Sequence, residues 1–275
     1  MEKEKRLENG ASYFEEALFH SEQTYVHPTA IIGKDVFLDK NVKIGPYCII
    51  VGRVVIESGT RLHTHCTVGF PAQNIGIKES LGTLHIKKNC DIREFATIHA
   101  SKYPTGSTII GNNCYLMCYT HVAHDCILED NVTLINNVQL GGHTVVEKNA
   151  IIMGCSATHQ FCRIGKFTAL APYSGTRQDL PPFCIFDGRP GGFAGLNLIG
   201  LKRAGFTSEN IWALKKITSL FYREKQPIER IQQTIQNESW GNDQCVQDFM
   251  SFITTSNRGV SRRRATERSS EKNEE

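Results

Sequence analysis

The sequence predicts an all-β solenoid, a parallel β-helix of hexapeptide repeats, followed by an α-helical C-terminal segment. Two registers with a period of six residues indicate this fold. Of the 26 positions sampled in sixes from Val26 to Thr176, 21 are Val, Ile or Leu, whereas average composition puts only about half of residues in the whole apolar class. Four residues after each apolar position the side chain is small. A strict period of six with these offsets is typical of the hexapeptide β-helix.

Six of the ten cysteines fall in the series of small side chains, at positions 48, 66, 90, 114, 126 and 162. We therefore interpret them as small buried hydrophobes rather than as metal ligands or disulfides. Disulfide scaffolds are short secreted chains, and this chain has 275 residues. The first residues lead into no apolar segment of the kind that a secretory signal contains. We expect a reduced, cytoplasmic protein.

The repeat sets the domain organisation. Residues 1–24 precede it and are predicted to form an N-terminal arm, and the β-helix is predicted over 25–190. Each hexad supplies a short strand and a corner, so three hexads close one triangular coil of 18 residues. The frame breaks near 70–84 and near 99–109 and resumes in phase after each gap. We expect loops at these gaps, and loops on a rigid scaffold are favoured sites of function.

Helical spacing replaces the hexad near the C-terminus, and we predict an α-helical region over 191–257. A Thr207-Ser208 cap precedes apolar residues three and four apart, beginning at Ile211. Further helices are predicted around 228–235 and 245–253. Residues 258–275 form a charged tail that we expect to be disordered.

Composition excludes two classes of function. The formal net charge is only +3, whereas nucleic-acid binders usually carry a strong basic excess. No segment approaches the roughly 20 apolar residues of a membrane span. We therefore expect neither a nucleic-acid partner nor a membrane span.

A cluster of histidines is the strongest candidate for chemistry. Strand stacking places residues 18 apart in sequence about 5 Å apart in space. His124, Gly142 and Gln160 then form one column, Asp125 and His143 form the neighbouring column, and His159 precedes Gln160. Three interpretations remain open from spacing alone. The histidines could supply a general base, bind zinc as a three-histidine site, or be ordinary solvated or core residues.

The order of several motifs resembles a known family, the UDP-N-acetylglucosamine O-acyltransferases that begin lipid A synthesis. The resemblance covers residues from about 25 to about 260. It rests on Val26-His27-Pro28-Thr29-Ala30-Ile31, His121-Val122-Ala123-His124-Asp125, Gly141-Gly142-His143, His159-Gln160-Phe161, Gln178-Asp179-Leu180-Pro181-Pro182 and Asn197…Gly200-Leu201-Lys202-Arg203…Gly205-Phe206.

This resemblance implies left-handed winding and a cytoplasmic homotrimer without a metal or other cofactor. It implies transfer of a 3-hydroxyacyl group from the phosphopantetheine of acyl carrier protein to the glucosamine 3-position of UDP-N-acetylglucosamine. His124 would be the general base, Asp125 its orienting carboxylate, and the Gly142 amide the oxyanion donor. Residues implied to bind substrate are Gln73, Asn74, His121, His143, His159, Gln160, Pro172, Asn197 and Arg203.

Departures from the family pattern leave the acceptor open. The family has Asp and Lys where this chain has Asn74 and Gly76, and Ile199 and Ala204 replace charged residues common near the nucleotide. The acceptor is therefore either UDP-N-acetylglucosamine or a sugar with an amine at position 3.

Alternative hypotheses are a zinc hydratase of the carbonic-anhydrase type and a trimeric scaffold with little or no catalysis. Pro172 matches a family position that often holds glycine and that limits the length of the bound acyl chain, which we call the acyl ruler. Proline there predicts a preference for a shorter acyl chain.

Overall fold

The structure, a computed structural model, describes residues 23–76 and 82–262. Its main body is a left-handed parallel β-helix of three sheets, which confirms the predicted fold class. Most of the predicted arm and of the charged tail lie outside the described residues, as does part of the first loop.

Each sheet forms one face of the triangular prism. The first sheet contains Tyr25–Val26, Lys43–Ile44, Arg61–Leu62, Asp91–Ile92, Tyr115–Leu116, Thr133–Leu134, Ile151–Ile152, Ala169–Leu170, Cys184–Asp187 and Gly192–Leu196. The second contains Ile31–Ile32, Ile49–Ile50, Thr67–Phe70, Thr97–His99, His121–Val122, Gln139–Leu140, Ala157–Thr158 and Gly175–Thr176. The third contains Val36–Leu38, Arg53–Ile56, Thr83–Ile86, Ser107–Ile110, Ile127–Leu128, Val145–Val146 and Arg163–Ile164.

Strand register follows the predicted 18-residue coil. Gln139 pairs with Ala157 on one side and with His121 on the other. Two excursions lengthen this spacing. Thr97 pairs with Thr67, 30 residues earlier, and with His121, 24 residues later. The excursions therefore run between Phe70 and Thr83 and between His99 and Ser107, close to the predicted loops.

The hexad residues fill the prism. From Ile44 to Leu170 the large apolar positions of the hexad are at most 1% exposed, and each such side chain contributes about 1.5–3 kcal/mol on burial. The six cysteines of the small series are also buried and unpaired. Thr158, one exception to the apolar pattern, is buried with its hydroxyl 2.9 Å from that of Thr144. These two hydroxyls inside the prism thus satisfy each other.

Corners carry a third register of six in addition to the large apolar and small series. The second residue of most turns takes a left-handed conformation, as at Asp125, His143 and Phe161, where φ is 60–65°. Such values are uncommon outside glycine, and Asn and Asp tolerate them best. Asparagine accordingly occupies many corners: Asn41, Asn89, Asn113, Asn131, Asn137 and Asn149.

The C-terminal segment begins differently from the prediction. Gly192–Leu196, expected to be helical, is a strand antiparallel to Cys184–Asp187, so the segment first extends the first sheet. Helices follow at Leu198–Arg203, Ser208–Thr218, Ile228–Asn237 and Gln244–Thr254, with a π-helical turn at Ser219–Arg223 and a 3-10 turn at Ser239–Asn242.

The helices are fixed to the end of the prism. The Arg163 guanidinium lies 3.8 Å from the centre of the Phe252 ring, and Lys166 forms an ion pair with Asp248. The first residues of the predicted disordered tail also return to the prism. Val260 bridges to Asp179, and the buried Ser261 hydroxyl donates to the Gly191 carbonyl. That part of the tail prediction is therefore wrong, because these polar groups find buried acceptors.

Within the described residues, no helix is both long enough and apolar enough to cross a membrane.

Candidate active site

The predicted histidine columns meet at one corner of the prism, between the second and third sheets. We call His124, Asp125, Gly142, His143 and Gln160 the histidine corner. The backbone amide of His143 donates to the His124 carbonyl at 3.0 Å, which places the two turns one coil apart. Spacing in the sequence therefore located these residues correctly relative to one another.

His124 and Asp125 form a dyad with one nitrogen turned away from the carboxylate. The distance from His124 Nδ1 to Asp125 Oδ2 is 2.8 Å, and the His124 side chain is only 6% exposed. A carboxylate acceptor at Nδ1 favours the tautomer with its proton on that nitrogen. Nε2 is then left with a lone pair, as a general base requires.

Glycine at residue 142 leaves room for the His124 ring. A Cβ built on Gly142 would lie 2.6 Å from Cε1 and 2.7 Å from Nε2 of His124. These distances are shorter than real Cβ contacts allow, so a side chain there would displace the imidazole. The Gly142 amide has no hydrogen-bond acceptor among the residues the structure describes, and it lies beside the ring that would act as base.

Burial and hydrogen bonds set the charges at the corner. Burial acts to raise the pKa of Asp125, but hydrogen bonds from Ser101 and His124 outweigh it and hold that pKa below its usual range. Asp125 is thus a carboxylate near neutral pH. Burial lowers the pKa of His143 and lowers that of His121 to about 4. Both of these histidines are therefore neutral near pH 7.

A cleft of about 270 Å³ opens in front of His124. Five residues predicted for the site line it: Gln73, His121, His124, Gly142 and Gln160. His99 also lines the cleft and was missed by the sequence analysis. Its Nδ1 lies 2.7 Å from the Pro71 carbonyl, and its ring packs edge-on against His121. The hexad gives no signal for it, because His99 stands at the start of the second excursion.

A second cleft of about 600 Å³ continues along the outer face of the second sheet. It shares Ala157 and Thr158 with the first cleft and is lined by His159, Arg177 and Arg189. Arg258, from the predicted tail, lies with its guanidinium 3.1 Å from His159 Nδ1. This part of the surface is cationic, which suits phosphate groups.

Three other predicted site residues, Asn74, His143 and Pro172, do not line the first cleft. Asn74 is exposed on the first excursion and does not line the first cleft. His143 stacks on Phe161, with ring centres 4.4 Å apart. Pro172 is exposed at the corner between the first and second sheets.

The two residues predicted near the nucleotide belong to the C-terminal segment. Asn197 is a buried helix cap that accepts from the Gly200 amide and donates to the Phe167 carbonyl. Arg203 is exposed in the helix that Asn197 begins. The single chain thus does not bring Pro172, Asn197 or Arg203 to His124.

One group in the described residues could hold a metal ion. Ligand atoms of His124, Asp125 and His143 lie within 4.8 Å of one another. His143 Nε2 is 3.7 Å from Asp125 Oδ2 and, although buried, has no hydrogen-bond partner in the described residues. Geometry alone therefore leaves both a base and a metal site possible.

Comparison with known proteins identifies the relatives. Residues 179–261 match the family model for the second domain of UDP-N-acetylglucosamine O-acyltransferase, and residues 107–142 match that for the hexapeptide of bacterial transferases. The acyl-[acyl-carrier-protein]–UDP-N-acetylglucosamine O-acyltransferase of Thermodesulfovibrio yellowstonii is 38% identical over 256 residues, which cover 86% of this chain and 99% of the relative. The protein of that name from Janthinobacterium sp. is 36% identical, with the same coverage.

Solved structures agree with these relatives. The Francisella novicida UDP-N-acetylglucosamine acyltransferase superposes with a TM-score of 0.76 at 28% identity, covering 86% of this chain and 94% of that chain. The Moraxella catarrhalis UDP-N-acetylglucosamine O-acyltransferase superposes with a TM-score of 0.75 at 30% identity, covering 86% and 99%.

Proposed function

The chain belongs to the UDP-N-acetylglucosamine O-acyltransferase family and is an acyltransferase, and from this premise we propose its reaction. It transfers a 3-hydroxyacyl group from acyl carrier protein to the 3-position of the glucosamine ring of UDP-N-acetylglucosamine, the first step of lipid A synthesis. The observation that carries this proposal is the His124–Asp125 dyad stacked beneath Gly142 at the mouth of the cleft.

The dyad explains the proton transfers. Asp125 holds the Nδ1 proton, so His124 Nε2 takes the proton from the sugar 3-hydroxyl as that oxygen attacks the thioester carbon. The Gly142 amide donates to the oxyanion that forms. When the intermediate collapses, the carbon–sulfur bond breaks and the phosphopantetheine sulfur takes the proton back from His124. This scheme requires no metal or other cofactor from the protein.

The charges around the two clefts fit these substrates. The imidazoles of His99 and His121 are kept neutral by burial, so they offer hydrogen bonds to a sugar without a competing charge. Arg177, Arg189 and Arg258 lie by the second cleft, where they suit the phosphate of a nucleotide or of phosphopantetheine. Gln73 brings the first excursion to the cleft, and the neighbouring Asn74 is exposed.

A homotrimer completes the site in this proposal. Pro172 and the Asn197–Arg203 helix lie away from His124 in one chain, so they join its cleft only if a second copy supplies them. We expect sedimentation to give three times the monomer mass of 30.8 kDa at micromolar concentration. A monomer under those conditions would contradict both the trimer and the shared cleft.

The mass of the product tests the reaction directly. Purified protein is incubated with 3-hydroxyacyl carrier protein thioesters and either UDP-N-acetylglucosamine or its 3-amino analogue. An acylated UDP-N-acetylglucosamine supports the proposal. Acylation of the amine analogue alone would show that the acceptor is the 3-amino sugar nucleotide instead. Absence of product with both acceptors would favour a scaffold without turnover.

A zinc hydratase of the carbonic-anhydrase type is the second candidate, and one observation favours it. The His124, Asp125 and His143 ligand atoms are close enough for one ion, and Zn²⁺ binds imidazole and carboxylate. Elemental analysis of the purified protein separates the two functions. One tightly held zinc per subunit with carbon dioxide hydration would support the hydratase, whereas zinc-free protein with full acyl transfer would exclude it.

A further inference from the structure

The second excursion contacts the dyad through a residue that the repeat does not contain. Ser101 is fully buried, and its hydroxyl donates to Asp125 Oδ1, the oxygen that His124 does not use. The Lys102 amide approaches Asp125 Oδ2 at 3.4 Å. The carboxylate is thus held from the loop on one side and by the imidazole on the other.

The groups around Ser101 Oγ direct its proton to Asp125. The Tyr103 amide donates to Ser101 Oγ at 3.0 Å, so that oxygen is an acceptor there and its own proton is free for another partner. The Tyr103 carbonyl, at 3.3 Å, competes with the carboxylate for that proton. Hydrogen bonds to an ionised acceptor are shorter and about twice as strong as neutral ones, so Asp125 is the favoured acceptor.

Two glycines make room for this contact. A Cβ on Gly106 would clash with Ser101 Oγ and would lie 3.1 Å from Asp125 Oδ1. A Cβ on Gly82, at the end of the first excursion, would meet the Ser101 Cβ at 2.5 Å. The Gly82 amide also donates to the Ser101 carbonyl at 3.0 Å. Both excursions therefore converge on the residue that holds Asp125.

We propose that Ser101 is a positioning residue, which fixes the Asp125 carboxylate so that His124 keeps its Nδ1 proton and points Nε2 at the acceptor hydroxyl. This inference rests on the proposed acyl transfer for its kinetic consequence. Its structural part, the ordering of the His124–Asp125 hydrogen bond, is independent of any substrate.

Kinetics of two variants, Ser101→Ala and a control, separate positioning from simple packing. Ser101→Ala is expected to lower kcat about tenfold, because one hydrogen bond to a charged group is lost, and to leave KM within about twofold. Ser107→Ala is the matched control, since Ser107 lies at the end of the same excursion and donates only to the Thr108 carbonyl. It should keep the wild-type kcat.

A double-mutant cycle tests whether Ser101 acts through Asp125. If it does, Ser101→Ala costs nothing further in the Asp125→Ala background, because residues that act as a unit are not additive. Independent effects that multiply in the double variant would overturn the proposal, as would a kcat for Ser101→Ala within twofold of wild type.

Proton NMR of the substrate-free protein gives a readout that does not need activity. The low-field Nδ1 proton of His124 is assigned by its loss in His124→Ala. Ser101→Ala should broaden it or move it upfield, and Ser107→Ala should leave it unchanged. An unaltered signal in Ser101→Ala would refute the positioning role. If the wild type transfers no acyl group, the proposed function fails while this measurement still decides the role of Ser101.

Discussion

Two buried histidines in this molecule lie at nearly the same distance from a carboxylate, yet their surroundings differ. His124 Nδ1 makes a hydrogen bond of 2.8 Å to Asp125. His63 Nε2 lies 2.9 Å from Asp91 Oδ1, but neither of these atoms has a hydrogen-bond partner in the part of the chain that the structure describes. Proximity alone therefore does not align a proton on the histidine.

The environment of each pair explains the difference. Near His63, Arg93 and Cys118 donate to Glu94. Burial acts to raise the pKa of Glu94, but these hydrogen bonds outweigh it and lower that pKa to about 2. The donors near the His63 pair thus bond to Glu94 rather than to Asp91. At the histidine corner Ser101 fixes Asp125 itself, and Gly142 leaves the opposite side of the imidazole open to the cleft.

The largest expected effect is the loss of activity when His124 is replaced, which distinguishes this pair from the His63 pair. His124→Ala should lower kcat by about 10² to 10⁴, the usual loss of a general base, and leave the proposed trimer folded. Initial rates with saturating thioester and sugar nucleotide measure it. Retention of more than about a tenth of kcat would place the base elsewhere, at His121 or His143.

Gly142→Ala tests the clearance over His124 while both side chains of the dyad remain. Its Cβ would displace the His124 ring, and such overpacking costs about 1–3 kcal/mol, so kcat should fall roughly 10- to 100-fold. Gly154→Ala is the matched control in the same turn position two corners later. There the nearest atom to a new Cβ is the Asn136 carbonyl oxygen at 3.4 Å, an ordinary contact.

Equal losses in the two glycine variants would show that the turn, rather than the clearance over His124, limits the rate. Circular dichroism and sedimentation of both variants confirm that each is folded.

Pro172 occupies the same turn position at another corner, and it tests chain-length selectivity. Its rigid ring should stop a long acyl chain, because a clash in a packed groove costs about 1–3 kcal/mol. Pro172→Gly should shift preference towards longer 3-hydroxyacyl thioesters by about tenfold in relative kcat/KM. Competition between donors of graded length measures this. If the wild type prefers the longest donor and Pro172→Gly has the same chain-length preference, Pro172 does not limit the length of the acyl chain.

The smallest effect is expected at the His63 pair. His63→Ala should leave kcat and KM unchanged and lower Tm by about 2 °C, which corresponds to a loss of about 1 kcal/mol. Asp91 is partly exposed, so water replaces much of what the imidazole supplies. A large loss of activity in His63→Ala would contradict the distinction drawn between the two pairs.

Periodicity in the sequence predicted what repeats in the structure. The hexad fixed which residues face the prism, and the 18-residue coil placed Gly142 over His124. Ser101 and His99 could not be found in this way, because loop conformation depends on contacts such as that between Ser101 and Tyr103, which follow no period. The strand at Gly192–Leu196 and the return of Arg258 to His159 depend likewise on contacts distant in sequence.

The left-handed corners have a consequence for how such a molecule diverges over generations. Asp125, His143 and Phe161 share one backbone conformation at successive levels of a single corner, although they are an acid, a base and a hydrocarbon ring. A point mutation there exchanges chemistry while the main chain stays as it is. The corner is therefore a row of equivalent attachment points, on which new specificities can be tried without rebuilding the scaffold.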